Sequence, residues 1–235
     1  MQLFYNPEIK QTTTTFSFDK EESKHIIKVL RKKDGDILFV TNGLGILFKT
    51  EITLASDTKC TVQIISADES PTPKYRLHLA VAPTKMNDRY EWFLEKATEI
   101  GVSEITPIIC DHSERKLIKT DRFDKIILAA MKQSNQYFLP KLNEPVAFKD
   151  FIKNSFDGVL FIAHCEETDK RSFKNELRPN VDITVLIGPE GDFSEKEIKL
   201  ALENKYMAVT LGSTRLRTET AAVVVCHSVA FVNED

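Results

Sequence analysis

The chain has 235 residues, of which 42% are hydrophobic and 29% charged, and its formal net charge is −3. That length and composition can bury the core of one large domain or two smaller ones, and the charge means that any contact with nucleic acid has to rest on a local basic surface. No apolar run approaches the roughly 20 residues of a membrane span and the first residues lack a signal-peptide core, so the expectation is a cytoplasmic protein with no membrane partner.

Cys60, Cys110, Cys165 and Cys226 stand far apart, without the paired spacing of a zinc site or the density of a disulfide scaffold. No metal is expected, and the thiols read as reduced and mostly buried.

Near the start, His25-Ile-Ile-Lys-Val-Leu-Arg-Lys-Lys33 places His25, Lys28, Arg31 and Lys32 on a helix end and the turn after it. Such a cluster is either a phosphate-binding edge or a solvated basic face. Ile37–Thr41 and Ile46–Leu54 are strand-like runs around Asn42-Gly43, a hairpin signal, and 60–65 is a third run. A small barrel or sandwich follows. From Ala67 to Pro73 the composition is that of a linker, which sets the expected domains at 1–70 and 74–235.

Beyond the linker, strands and helices alternate. Strands are expected at 77–82, Glu104–Ile109, 158–163, Ile183–Ile187 and 207–211, and helices at 88–100, 122–136, 195–204 and 219–231. This alternation predicts a mostly parallel sheet covered by helices. Tyr90, Phe93, Leu94 and Ala97 form the core-facing stripe of the first of these helices.

Two of the strands run into glycine-containing loops. The first passes through Leu186, Ile187, Gly188, Pro189, Glu190 and Gly191, and the capping-box pair Ser194 and Glu197 opens the next helix. The second passes through Leu211, Gly212, Leu216, Arg217, Thr218, Thr220 and Ala221. Either loop is a tight turn or a place where a ligand meets exposed backbone at a strand's C-terminal edge. A nucleotide-triphosphate loop is disfavoured, since no Gly-Lys-Ser/Thr follows and GxGxxG spacing is absent. Thr218 is expected to cap the last helix, and His164 and His227, outside both loops, read as satisfied core or surface histidines.

In order and spacing the two loops resemble the IGPEGG(F/W) and LGxRILRTETA signatures of the ribosomal RNA uridine N3-methyltransferase family of the SPOUT class. Asp192 is a departure in the first, and Ser213-Thr214-Arg215 in the second. The likeness extends to 85–102, which resembles the family's KATELGV helix, to Ser113-Glu-Arg115, to Gln133-Ser134 with Leu139-Pro140, and to the basic stretch ending in Asp34-Gly35-Asp36. Gln136 stands where an arginine is frequent, and the common early arginine is missing.

The resemblance implies an α/β fold, a SPOUT-type knotted parallel sheet with helices on both faces, preceded by a small β-barrel PUA-like RNA-binding domain. It further implies S-adenosylmethionine bound by the two loops, methylation of N3 of a uridine in 16S ribosomal RNA of the small subunit, RNA contacts at Arg115 and the basic cluster, and a homodimer. Arg217 and Glu219 are the residues expected to act in transfer. A noncatalytic RNA-binding or ribosome-assembly factor, and a methyltransferase of the same class acting on transfer RNA, are the alternatives.

Overall fold

The computed structural model describes residues 1–167 and 169–234. Its contacts divide into two units, Met1–Thr72 with Met131–Leu139, and Pro73–Ala130 with the chain from Pro140 onward.

In the first unit the strands are β1 (Leu3–Tyr5), β2 (Thr15–Ser17), β3 (Ile37–Thr41), β4 (Ile46–Leu54) and β5 (Thr61–Glu69), ordered β1-β3-β4-β5-β2 in one sheet. Period-2 alternation turns Leu38, Val40, Phe48, Ile52 and Val62 inward onto Phe4, Phe18 and Ile26. Each large side chain so buried contributes roughly 1.5–3 kcal/mol. Register shifts between β4 and β5, at Lys49/Thr50 and Ile52/Leu54, bend the sheet over that core. Helix α1 (Lys20–Lys24) is capped by Asp19, whose carboxylate accepts the Glu22 amide at 2.8 Å, and it widens into a π turn over His25–Val29.

The hairpin between β3 and β4 is not a two-residue Asn-Gly turn. Asn42 Oδ1 accepts the Leu44 amide at 2.9 Å, and Gly43 and Gly45 take φ of +76° and +90°. A Cβ on Gly43 would stand 2.9 Å from the Tyr5 ring and 3.0 Å from Leu139. The glycines make room for the Met131–Leu139 segment, whose Tyr137 carbonyl and Leu139 amide bond Gly45 and Gly43, each at 2.9 Å. Lys132 anchors the same segment, paired with Glu22 at 3.3 Å and lying 5.9 Å over the Phe4 ring. Ala67, Asp68 and Glu69 pair with Phe48, Leu47 and Ile46, so the stretch expected to be linker starts inside β5.

The second unit runs β6 (Leu77–Val81), α2 (Asn87–Ile100), β7 (Glu104–Ile109), α3 (Asp121–Gln133), β8 (Lys141–Leu142), β9 (Val146–Ala147), α4 (Phe148–Phe151), β10 (Val159–Ala163), β11 (Arg171–Ser172), α5 (Phe173–Glu176), β12 (Ile183–Ile187), α6 (Glu195–Glu203), β13 (Met207–Thr210) and α7 (Thr218–Asn233). Its strands are parallel in the order β11-β13-β10-β12-β6-β7-β8, with β9 also on β7.

Every residue of β6 and β12 is buried, as strands covered on both faces require. Ala80, Ile162, Leu186 and Ala208 meet Phe148 and Phe151 of α4 and Ile198 and Ala201 of α6, while α7 packs on β6, β12 and α2. Tyr90, Phe93, Leu94 and Ala97 are the buried stripe of α2, as the sequence predicts. The helix expected over 122–136 stops at Gln133, because Asn135 turns to a left-handed φ of +55°.

Candidate active site at the two glycine loops

Strand β10 lies between β12 and β13, in register with both: Ala163 pairs with Ile187 on one side and Val209 on the other. The segments leaving the C-terminal ends of these three parallel strands therefore converge, and they line one cavity of about 630 Å³. Ligands of open α/β sheets bind at this edge, and the volume is that of a small-molecule site.

Of the residues expected there, Ile187, Gly188, Pro189, Glu190, Leu211, Gly212, Leu216, Arg217, Thr218 and Ala221 line the cavity. Three stand elsewhere: Leu186 is buried in the sheet core, Gly191 faces His112, whose Nδ1 lies 3.0 Å from its carbonyl, and Thr220 is off the wall. Arg217 is exposed on the wall, and its guanidinium has no side-chain partner among the described residues. Glu219 is only 7% exposed and off the wall. Its Oε1 is 3.8 Å from Arg89 Nε, and its Oε2 has no hydrogen-bond partner among the described residues.

Thr218 does not cap α7. Arg217 holds the N-cap position in an extended conformation, φ −71° and ψ 157°, and Thr218 is the first helical residue. Its hydroxyl instead donates to the Gly188 carbonyl at 2.9 Å, tying the second loop to the first. Asp192, the departure from the first signature, sits at φ +63°, a conformation that aspartate tolerates better than most side chains. Its carboxylate accepts the Phe193 amide at 2.9 Å and the Cys165 amide at 2.6 Å, joining the first loop to the segment after β10. Glu190 accepts the Lys85 amide at 2.9 Å. The predicted capping box is present, and Glu197 also accepts the Asp111 amide at 2.9 Å.

The glycines serve different ends. A Cβ on Gly188 would lie 3.1 Å from the ring of Phe193, a core residue, so a side chain there would require that ring to give by a few tenths of an ångström. Around Gly212 nothing comes within 4 Å, and φ of +150° is what favours glycine.

His164 corrects the sequence reading most. It is 6% exposed, lines the cavity, and among the described residues neither ring nitrogen has a hydrogen-bond partner. Burial, assisted by Lys170 and opposed by Asp192, holds its pKa below the usual imidazole value. Lys170 donates to the carbonyls of His164 at 3.1 Å and Glu166 at 2.6 Å, closing the segment after β10. Neither residue carries a sequence signal, since a lone histidine after a strand forms no pattern. His227 is an exposed residue of α7.

The residues expected to meet RNA fall in both units. In the first, Lys28 pairs with Asp57 at 3.0 Å, Arg31 is exposed at φ +56°, His25 is half-buried with Nε2 3.3 Å from Gln2, and Lys32 is half-buried. In the second, Arg115 donates to Asn87 Oδ1 at 2.6 Å. Among the described residues no group of three His, Cys, Asp or Glu is placed to hold a metal ion, and no helix is long and apolar enough to cross a membrane.

Fold and site together define an open parallel α/β domain whose cavity is built by loops from neighbouring strands, in a chain whose other unit has a small bent sheet. The model of the RNA methyltransferase domain matches residues 70–230, and that of the RNA methyltransferase PUA domain matches residues 18–65. The class is thus RNA methyltransferase. Ribosomal RNA small subunit methyltransferase E of Buchnera aphidicola (subspecies Acyrthosiphon pisum) is 31% identical over 89% of this chain and 85% of its own length. A Porphyromonas gingivalis structure described as a probable rRNA-methyltransferase superposes with a TM-score of 0.92 at 36% identity, covering 99% of this chain and 98% of the other. A Legionella pneumophila structure solved with the bound cofactor S-adenosylmethionine gives 0.88 at 28% identity, with the same coverage. The chain belongs to the ribosomal RNA small subunit methyltransferase E family.

Proposed function

We propose that the protein transfers the methyl group of S-adenosylmethionine to N3 of a uridine in 16S ribosomal RNA, as a cytoplasmic homodimer. In this reading residues 1–70 form the PUA-like RNA-binding domain, and 74–235 carry out transfer from loops tied in a trefoil knot. The observation that carries it is the convergence of both signature loops on one cavity, in a chain that belongs to an rRNA methyltransferase family. The solved Legionella pneumophila neighbour with bound S-adenosylmethionine supports the choice of cofactor.

The residues fit that cofactor. The wall combines apolar side chains, Ile187, Val209, Leu211 and Leu216, with the unpaired polar nitrogens of His164. When bound, S-adenosylmethionine supplies a sulfonium methyl group already activated for attack. The protein's work is to align the acceptor nitrogen with it and to exclude water. Thr218 fixes the two loops against each other through Gly188. Arg217, unpaired on the wall, balances the negative charge that develops on the uracil ring as N3 loses its proton. Glu219 lies off the wall in the first turn of α7, where the helix N-terminus favours its charge; we assign it to orienting that turn.

Lys28, Arg31 and Lys32, with His25, supply the cationic edge for phosphate in the first unit, and Arg115 a further contact in the second. Support for a second copy comes from α7. Its buried residues Ala222, Val225, Cys226 and Val229 are one stripe, yet Val223 and Val224 are only half-buried and Phe231 is 65% exposed.

Titration calorimetry with S-adenosylmethionine tests the reading. Wild-type protein is expected to bind it. Arg217→Ala is expected to bind within about threefold of wild type while the methylation rate falls about 100-fold, the cost typical of losing one charge-stabilising donor. Absence of binding by the wild type, or an unchanged rate in the variant, would sink the assignment.

A further inference from the structure

His164 lines the cavity wall with both polar atoms of its ring unused by the rest of the described residues. It follows β10, the strand flanked by both loop-bearing strands, and it lines the same cavity as the two signature loops. It is buried, and both nitrogens lack a hydrogen-bond partner among the described residues. Buried polar groups in folded proteins are almost always paired, so an unpaired one that faces a cavity calls for an explanation, and a ligand that completes the set is one. The groups around it do not complete it from within. Lys170 is committed to two backbone carbonyls, and Asp192 to two backbone amides.

We propose that His164 is a cofactor-binding residue, whose imidazole hydrogen-bonds the nucleoside half of S-adenosylmethionine. This rests on the cofactor assignment above. The ring is neutral near pH 7, because burial disfavours its charged form. A neutral imidazole offers one donor and one acceptor. A ribose hydroxyl both donates and accepts, so it can use either nitrogen in either tautomer. The charged methionine half finds no such match, since Lys170 and Asp192 set opposite charges beside the ring and favour neither its ammonium nor its carboxylate.

The test is calorimetry on the full chain with His164→Phe, which keeps a ring of similar size and removes both nitrogens. S-adenosylmethionine and adenosine are both expected to bind about tenfold more weakly, the fold-change of one lost hydrogen bond. The melting temperature of the unliganded variant is expected to stay level or rise, since two unpaired buried atoms have been removed. Of His164→Asn and His164→Gln, the one whose amide reaches the position of the bonding nitrogen is expected to recover affinity.

Unchanged S-adenosylmethionine affinity in His164→Phe, with normal wild-type binding, would overturn this inference alone. No binding by the wild type would overturn it together with the cofactor assignment. Weakened S-adenosylmethionine binding with unchanged adenosine binding would overturn the nucleoside assignment. A melting temperature several degrees lower, or no recovery in either amide variant, would mark a structural role and overturn it as well.

Discussion

His78 lies in β6, buried, with Nε2 2.7 Å from Thr106 Oγ1. Burial pushes its pKa down to about 4, against the pull of nearby Glu104. Because the folded value is below the unfolded one, the unfolded chain binds the extra proton first. The stability that the neutral ring confers is therefore fully present above about pH 6.5 and is lost as pH falls towards 4. A shift of this size corresponds to about 3 kcal/mol once both states are protonated. Denaturant unfolding between pH 7 and 4 should show that slope in wild type and lose much of it in His78→Phe. An identical pH dependence in the two proteins would remove His78 from the acid response.

Between elements, the decisive contact is the hydroxyl of Thr218, at the start of α7, on the carbonyl of Gly188, just past β12. Thr218→Val keeps the shape and leaves that carbonyl without its donor. The expected cost is about 1–3 kcal/mol, read as a lower denaturation midpoint at unchanged slope, with weaker cofactor binding. Wild-type stability and binding in this variant would mean that the loops are held by other contacts. The hydroxyl could not be assigned this way from sequence, where a threonine before a helix reads as a cap. The alternation of strand and helix was legible, because β6, β12 and β13 are apolar runs and α2 shows a clean stripe. Two-residue strands such as β8, β9 and β11 carry no periodicity. Nor could sequence order reveal that β10 lies between β12 and β13, and that placement is what brings His164 into the site. The Gly188 and Gly212 loops were legible as breaks, but only packing shows that Phe193 crowds the space at Gly188.

For the whole molecule, a net charge of −3 leaves RNA binding to a small local surface. Replacing Lys28, Arg31 and Lys32 together by alanine should weaken RNA binding and flatten its salt dependence. Lys28 already neutralises Asp57, so its net contribution is reduced and the slope of log affinity against log salt should fall by about 1–2. Cofactor affinity should stay unchanged, because these residues lie in the first unit and the cavity lies wholly in the second. An unaltered RNA affinity and salt slope would remove the basic edge from the account. Met131–Leu139 is the feature of the molecule that sequence concealed most fully. It packs with a unit whose other residues lie some sixty positions away or more, through backbone bonds to hairpin glycines that look locally like an ordinary turn.

The central claim, methyl transfer to N3 of a uridine in 16S ribosomal RNA, is tested most directly by mass-spectrometric mapping of that RNA from cells lacking the protein. The account predicts that one 3-methyluridine disappears, returns when the wild-type protein is restored, and does not return to its full level with Arg217→Ala. A 16S RNA that keeps all its 3-methyluridine without the protein would contradict it.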